Sequence, residues 1–187
     1  MTMVTALWLP MLVSAVAVFV VSSIIHMTPL WHKTDYPRYR DEDRVLGALR
    51  PLGIPPGDYL MPRPANQAEM RSVEFKEKMQ RGPAVMMTVL PPWRRSMASN
   101  LSQWFGYCLV VSLFAGYIAG AALAPGTATF GAICRFAGTT AFLGYTTALW
   151  QMSIWYRRAW SMTLKATFDG VIYAAVTCAV FAWLWPN

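Results

Sequence analysis

Charge is the scarcest commodity in this chain of 187 residues: only 13% of it is Asp, Glu, Lys or Arg, against 56% hydrophobic residues. That balance excludes an ordinary soluble domain of this length. Histidine is rarer still, with two residues, and the three cysteines show no CxxC spacing. Paired-cysteine zinc spacings are therefore excluded, and Cys108, Cys134 and Cys178 read as small apolar fillers that imply neither a disulfide framework nor a metal site. The chain also has no phosphate-binding glycine loop, no HExxH and no GxSxG. No cofactor is called for.

What it has instead is long stretches with no ionisable side chain. Residues 5–25 (TALWLPMLVSAVAVFVVSSII) and 101–123 (LSQWFGYCLVVSLFAGYIAGAAL) are two of them, 136–156 a third, and 170–185 a shorter fourth that reaches full length by borrowing 166–169. A helix rising 1.5 Å per residue needs roughly 20 apolar residues to cross about 30 Å of hydrocarbon. The expected fold is an all-α integral membrane protein with four transmembrane helices. Residues 1–25 hold the first, 101–187 hold the other three, and a small α+β insertion fills 26–100.

Charge sign turns this count into an orientation. Twelve of the sixteen basic residues, from Lys33 to Arg95, lie between the first two runs, and Arg157, Arg158 and Lys165 lie between the last two. The other connection has no base before Arg135. Basic loops stay in the cytoplasm. Residues 26–100 are thus expected inside and both termini outside, which an even number of spans satisfies. The same basic excess argues for membrane topology rather than nucleic acid as a partner, since no nucleic-acid motif or unbroken basic face accompanies it. The first run has no basic n-region and exceeds the usual hydrophobic length of a signal peptide, so it reads as an uncleaved helix.

Within the insertion, Asp41–Asp43 open a helix over about 41–50 that Pro51 ends. Asn66 caps a second through about Gln80, with Glu74 and Lys78 as an i,i+4 pair and Gly82-Pro83 as its stop. The segments DYLMP and PAVMMTVLPPW either pair as two strands or lie flat in the headgroups. Trp8, Trp31, Trp93, Trp104, Trp155, Trp160, Trp183 and Trp185 fall near helix ends, as an aromatic belt does. Helix packing is assigned to small residues at i,i+4: Gly116 and Gly120, Ala137 and Ala141, Ala175 and Ala179.

Chemistry has few candidates. His26 and His32 flank the inner end of the first helix, with Ser22 one turn before His26 and Asp35 after His32. A metal site of His26, His32 and Asp35 is one reading, a Ser22–His26 nucleophile a second, haem ligation by His26 a third. Against them stands a simpler one, in which His26 hydrogen-bonds at the helix end and His32 faces headgroups. Arg135 and Asp169 sit at span boundaries, where a charge needs a partner. Arg135 is placed to meet phosphates or the carboxylate of Asn187, and Asp169 to meet Lys165, Arg157 or Arg158. Thr139, Thr140, Thr146, Thr147 and Gln151 make the third helix the most polar, which interhelical hydrogen bonds explain and a transport path would exploit.

The strings LWLPMLVSAVAVFVVSSIIHM, PLWHKTDY, PPGDYLMP, GPAVMMTVLPP and SIWYRRAWSMTLKATFDGVIYAAVTCAVFAWLWP resemble a family of uncharacterised four-span bacterial inner-membrane proteins with no assigned activity. The resemblance implies a bacterial inner-membrane location and supplies no catalytic residue. The leading expectation is a non-enzymatic accessory, scaffold or assembly component of a membrane complex, with the bilayer and a membrane-protein partner or a second copy as its contacts. A small transporter, and a membrane-surface enzyme near His26 and His32, are the alternatives.

Overall fold

The computed structural model describes residues 3–28, 31–91, 96–126 and 128–186. Trp93, Arg94, Arg95 and Asn187, to which the sequence assigned interfacial and ion-pairing places, lie outside the described residues. The chain divides into two units, residues 1–37 with 96–187, and residues 38–95. The boundaries of the insertion are accordingly narrower than 26–100, because residues 31–37 and the start of the second long helix belong to the membrane unit.

Three helices of that unit are long and apolar enough to cross a membrane: Trp8–Met27, Met97–Ala122 and Trp160–Trp183. In the first, Pro10 falls in the opening turn, where its missing N–H costs least. Its last turn closes on Thr28, whose amide and hydroxyl both bond the Ile24 carbonyl (3.1 and 2.6 Å). The second begins at Ser96, whose side chain accepts from the Ser99 amide.

The third expected span is not one regular helix. Its path from 130 to 154 runs through Phe130–Ile133, a π turn at Cys134–Gly138, Thr139–Thr146, a 3-10 turn at Thr147–Leu149, and Trp150–Ile154. Thr140 and Thr147 lie at or beside the two interruptions. Their hydroxyls bond carbonyls four residues back on their own helix, Phe136 (2.7 Å) and Leu143 (3.0 Å), and such back-bonding competes with the helical ladder. The interhelical role expected of these two threonines is therefore corrected.

The four helical members form a ring of neighbours. The first long helix packs on the second and the last, and the 130–154 path packs on the same two. Leu12, Val16, Val20, Leu113, Phe114 and Leu164 point outward and are exposed, while Ser14, Ser22, Ser112, Thr163, Thr177 and Asp169 are buried. An apolar outer face, with the polar side chains kept inside among Leu7, Val18 and Phe181, is the distribution that a hydrocarbon solvent selects. Close approach depends on two glycines. A Cβ at Gly116 would overlap the Met11 side chain, and one at Gly170 would overlap the Thr146 hydroxyl.

Ala137 and Ala141 are buried and Gly120 half-buried, but Ala175 and Ala179 lie on the exposed face of the last helix. Its inner face is one residue out of phase with that expectation: a Cβ at Gly138 would meet the Cys178 Cβ (3.3 Å) and the Ala174 carbonyl (3.6 Å). The cysteine reading is corrected at the same place. Cys134 and Cys178 are joined in a disulfide with their Cα atoms 4.7 Å apart, and only Cys108 is free.

The 38–95 unit is built from short pieces. Helix Glu42–Leu49 starts on its acidic turn as expected. The Asn66 side chain accepts from the Glu69 amide, but that helix breaks at Ser72, which caps a separate Val73–Arg81. The ion pair there is Glu77 with Arg81 (2.9 Å), in place of Glu74 with Lys78. Strands β1 (Gly57–Met61) and β2 (Val85–Val89) pair antiparallel, with Tyr59 opposite Met87, the strand arrangement expected as one of the two for this segment. No described residue of this unit is buried.

Candidate functional site

The chemistry-bearing residues of the membrane unit gather where the chain leaves the first long helix. His26 stands on the last turn of that helix, and its Nδ1 lies 3.0 Å from the Ser22 carbonyl. A carbonyl only accepts, so Nδ1 carries the proton and Nε2 keeps the lone pair. Residues 32–34 form a 3-10 turn that closes through the Asp35 amide onto the His32 carbonyl (3.0 Å). That turn lays the His32 ring parallel to His26, with centroids 4.5 Å apart.

His32 is clamped at both ends. Its Nδ1 lies 2.7 Å from Asp35 Oδ2 and its Nε2 2.8 Å from Asp169 Oδ2. Asp169, only 3% exposed, projects from the last helix one residue before Gly170, so the contact of Gly170 with Thr146 sets how deep this carboxylate sits. Its Oδ1 accepts from the Trp31 indole (2.9 Å). Lys165, one turn earlier, donates to Asp35 Oδ1 (2.6 Å) and to the Thr34 hydroxyl (2.9 Å). Burial pushes the Asp35 carboxyl up, but the hydrogen bonds and charges of Lys165 and His32 outweigh it and hold the group below its ordinary value of 3.8.

Charge and donors can be counted. Asp35 and Asp169 bring two negative charges, Lys165 one positive. A neutral imidazole has one N–H, yet both ring nitrogens of His32 face carboxylate oxygens. One further positive charge is needed to satisfy this centre, either a second proton on the ring or a cation in its place.

Several expected pairings change. Lys165 pairs with Asp35 instead of Asp169, and His32 faces two carboxylates instead of headgroups. Arg135 is exposed on its π turn with no ion-pair partner among the described residues. The Ser22–His26 nucleophile is not assembled. The Ser22 hydroxyl donates to the Phe19 carbonyl (2.9 Å) and accepts from the Trp104 indole (2.7 Å), while His26 engages the Ser22 backbone.

Trp31 and Trp104 thus turn inward and hydrogen-bond within the bundle, unlike the exposed Trp8, Trp155, Trp160 and Trp183. Beside Trp104 a group of Tyr107, Tyr145 and Tyr173 packs ring to ring at 5.3–6.3 Å. Sequence reasoning had not joined these rings. The available signal was a tyrosine in each of three otherwise apolar runs, Tyr107, Tyr145 and Tyr173.

Compared with protein-family models, with curated proteins and with solved structures, the chain matches none of them. Its function is read from its own geometry.

Proposed function

We propose that this is a multi-pass protein of the bacterial inner membrane that works through the His26–His32–Asp169 centre at the cytoplasmic edge of the bilayer. On this reading the interrupted 130–154 path serves as a fourth crossing, the termini lie outside and residues 38–95 lie in the cytoplasm. Two independent features support the orientation. Basic residues cluster in two connections. The Cys134–Cys178 disulfide sits toward the other end of the bundle, where an oxidising compartment would keep it intact.

The observation that carries the functional reading is the double clamp on His32. Two carboxylates from distant parts of the chain hold one imidazole, and a second imidazole is stacked on it with an exposed edge. A group fixed this way serves acid–base or ligand chemistry on something that approaches from the cytoplasmic side. The transport reading has less behind it, since Thr140 and Thr147 are satisfied on their own helix and Arg135 stands apart from Asp169.

Complementation of a deletion strain tests the reading. The growth-condition profile restored by the wild-type chain should not be restored by His26→Gln or Asp169→Asn when both accumulate in the membrane at wild-type level. Full restoration by both would reduce the centre to a structural clamp.

The accessory reading is favoured by a separate observation, the absence of any buried residue among the described residues 38–95, where Leu46, Leu52, Val73 and Leu90 are exposed. A unit without its own core gains from a partner's surface. Gentle detergent purification should then recover a stoichiometric membrane partner that is lost when Leu46 and Leu52 are changed to Ser.

A further inference from the structure

The same centre meets the requirements of a metal site, and this inference rests on its being the working site. We propose that His26, His32 and Asp169 bind a single divalent transition-metal ion of borderline softness, of the Zn²⁺ or Fe²⁺ class. Two imidazole nitrogens and one carboxylate oxygen would hold it, leaving further positions open.

The donor atoms are already close. One ligand atom from each of the three residues lies within 4.8 Å of the others, and His32 Nε2 and Asp169 Oδ2 are 2.8 Å apart. Bond lengths of 2.0–2.2 Å in a tetrahedral shell put donors about 3.3 Å from one another. The buried pair is inside that spacing. The remaining gap would be closed by a small shift of His26, which is exposed, whereas Asp169 is fixed by burial.

Each ligand also has an outer partner that orients it, as metal-binding side chains require. The Ser22 carbonyl takes the His26 Nδ1 proton and presents Nε2. Asp35 takes the His32 Nδ1 proton and presents the other Nε2, and Lys165 holds Asp35 in turn. Trp31 holds the second oxygen of Asp169. The donor count agrees: with the Nδ1 proton given to Asp35, His32 Nε2 and Asp169 Oδ2 are two acceptors face to face, and a cation between them satisfies both.

An N,N,O donor set suits Zn²⁺, Fe²⁺, Mn²⁺ or Co²⁺ and disfavours Cu⁺, which wants thiolate or thioether. Three protein ligands with one exposed side are the pattern of a reactive metal, because a closed structural site leaves no position for water or substrate. Bound there, such an ion would polarise an oxygen of a substrate or lower the pKa of a bound water.

The sequence argued against a metal because a six-residue histidine spacing cannot place both rings on one helical face. The 3-10 turn at His32–Thr34 supplies what the helix cannot, and the third ligand comes from 137 residues further along instead of from Asp35.

The test uses the full chain, purified in mild detergent through a tag without histidine and stripped with a chelator. Titration with Co²⁺ should give visible d–d absorption that saturates at one ion per chain and is abolished by Zn²⁺ competition. His26→Gln, which changes an exposed ring and leaves the clamp in place, should weaken Zn²⁺ binding about tenfold or more, and Asp169→Asn likewise. Asp41→Asn, in the 38–95 unit, should leave binding unchanged. Absence of saturable binding, or binding that survives both His26→Gln and Asp169→Asn, overturns the metal site. If those variants fail to complement in cells while the wild-type protein binds no metal, the working-site reading survives and the metal falls. If the metal binds and the variants complement, the site stands and the working-site reading falls.

Discussion

Replacing Asp169 in two different ways separates a clamped hydrogen-bond acceptor from a mere charge. In the wild type, Oδ1 accepts from Trp31 and Oδ2 faces His32 Nε2. Asp169→Asn keeps an oxygen for the indole and puts an N–H₂ opposite Nε2. With the Nδ1 proton donated to Asp35, Nε2 is a lone pair that accepts from that amide, so every polar atom stays satisfied, and Lys165 still balances Asp35. The expected loss is under about 1 kcal/mol. Asp169→Ala removes both acceptors at a site that is 3% exposed and leaves the indole N–H and one imidazole edge unpartnered. Two buried polar groups left unpartnered cost about 3 kcal/mol together. Thermal unfolding in detergent, with chelator present so that metal binding does not contribute, should therefore rank wild type and Asn close together and Ala well below. Equal losses for the two variants, or no loss for Ala, would refute the clamp.

Asp35 titrates below its ordinary 3.8, so its contribution to stability is complete above about pH 4 and disappears as pH falls through the lower folded-state value; Asp35→Asn should flatten that acid limb. Gly170→Ala should destabilise by about 2 kcal/mol through overlap with the Thr146 hydroxyl, and Thr146→Ala should relieve most of it in the double variant. Thiol counting on the denatured chain should find one reactive cysteine before reduction and three after, since only Cys108 is free. A cysteine placed at exposed Met79 should be labelled only from the cytoplasmic side; labelling from outside would overturn the orientation.

The long elements were legible because hydrocarbon imposes one simple requirement, length without charge, and Trp8–Met27, Met97–Ala122 and Trp160–Trp183 each meet it. The 130–154 path meets it in composition but not in regularity. The interruptions lie at or beside Thr140 and Thr147, whose hydroxyls bond carbonyls of their own helix, and a hydropathy count registers neither the π turn nor the 3-10 turn. The packing face of the last helix was misread for a related reason. A small-residue spacing of four recurs on Ala175–Ala179 and on Ala174–Cys178, and nothing in the spacing says which set faces inward. The disulfide follows from that choice: once Ala174 and Cys178 face the π turn, Cys178 meets Cys134, two residues otherwise 44 apart.

Of the centre, the members were legible and the partnership was not. His26, His32, Asp35, Lys165 and Asp169 stood out because ionisable groups are scarce near spans. Proximity in sequence groups His32 with Asp35 only as co-ligands in one reading and pairs Lys165 with Asp169; His32 does meet Asp35, while Lys165 does not pair with Asp169. The second exchanges partners because the segment after the first helix folds back through the 3-10 turn and lays His32 against the last helix. Asp169 then faces Trp31 and His32 on the returning segment, and Lys165, one turn nearer the helix start, reaches the carboxylate at the end of that turn. A backbone reversal of three residues thus decides which of two carboxylates is balanced by an ammonium and which by an imidazole. The carboxylate left to the imidazole is the buried one. An imidazole can also ligate a metal ion, which an ammonium cannot, so the proposed metal site falls at Asp169 and not at the lysine pair.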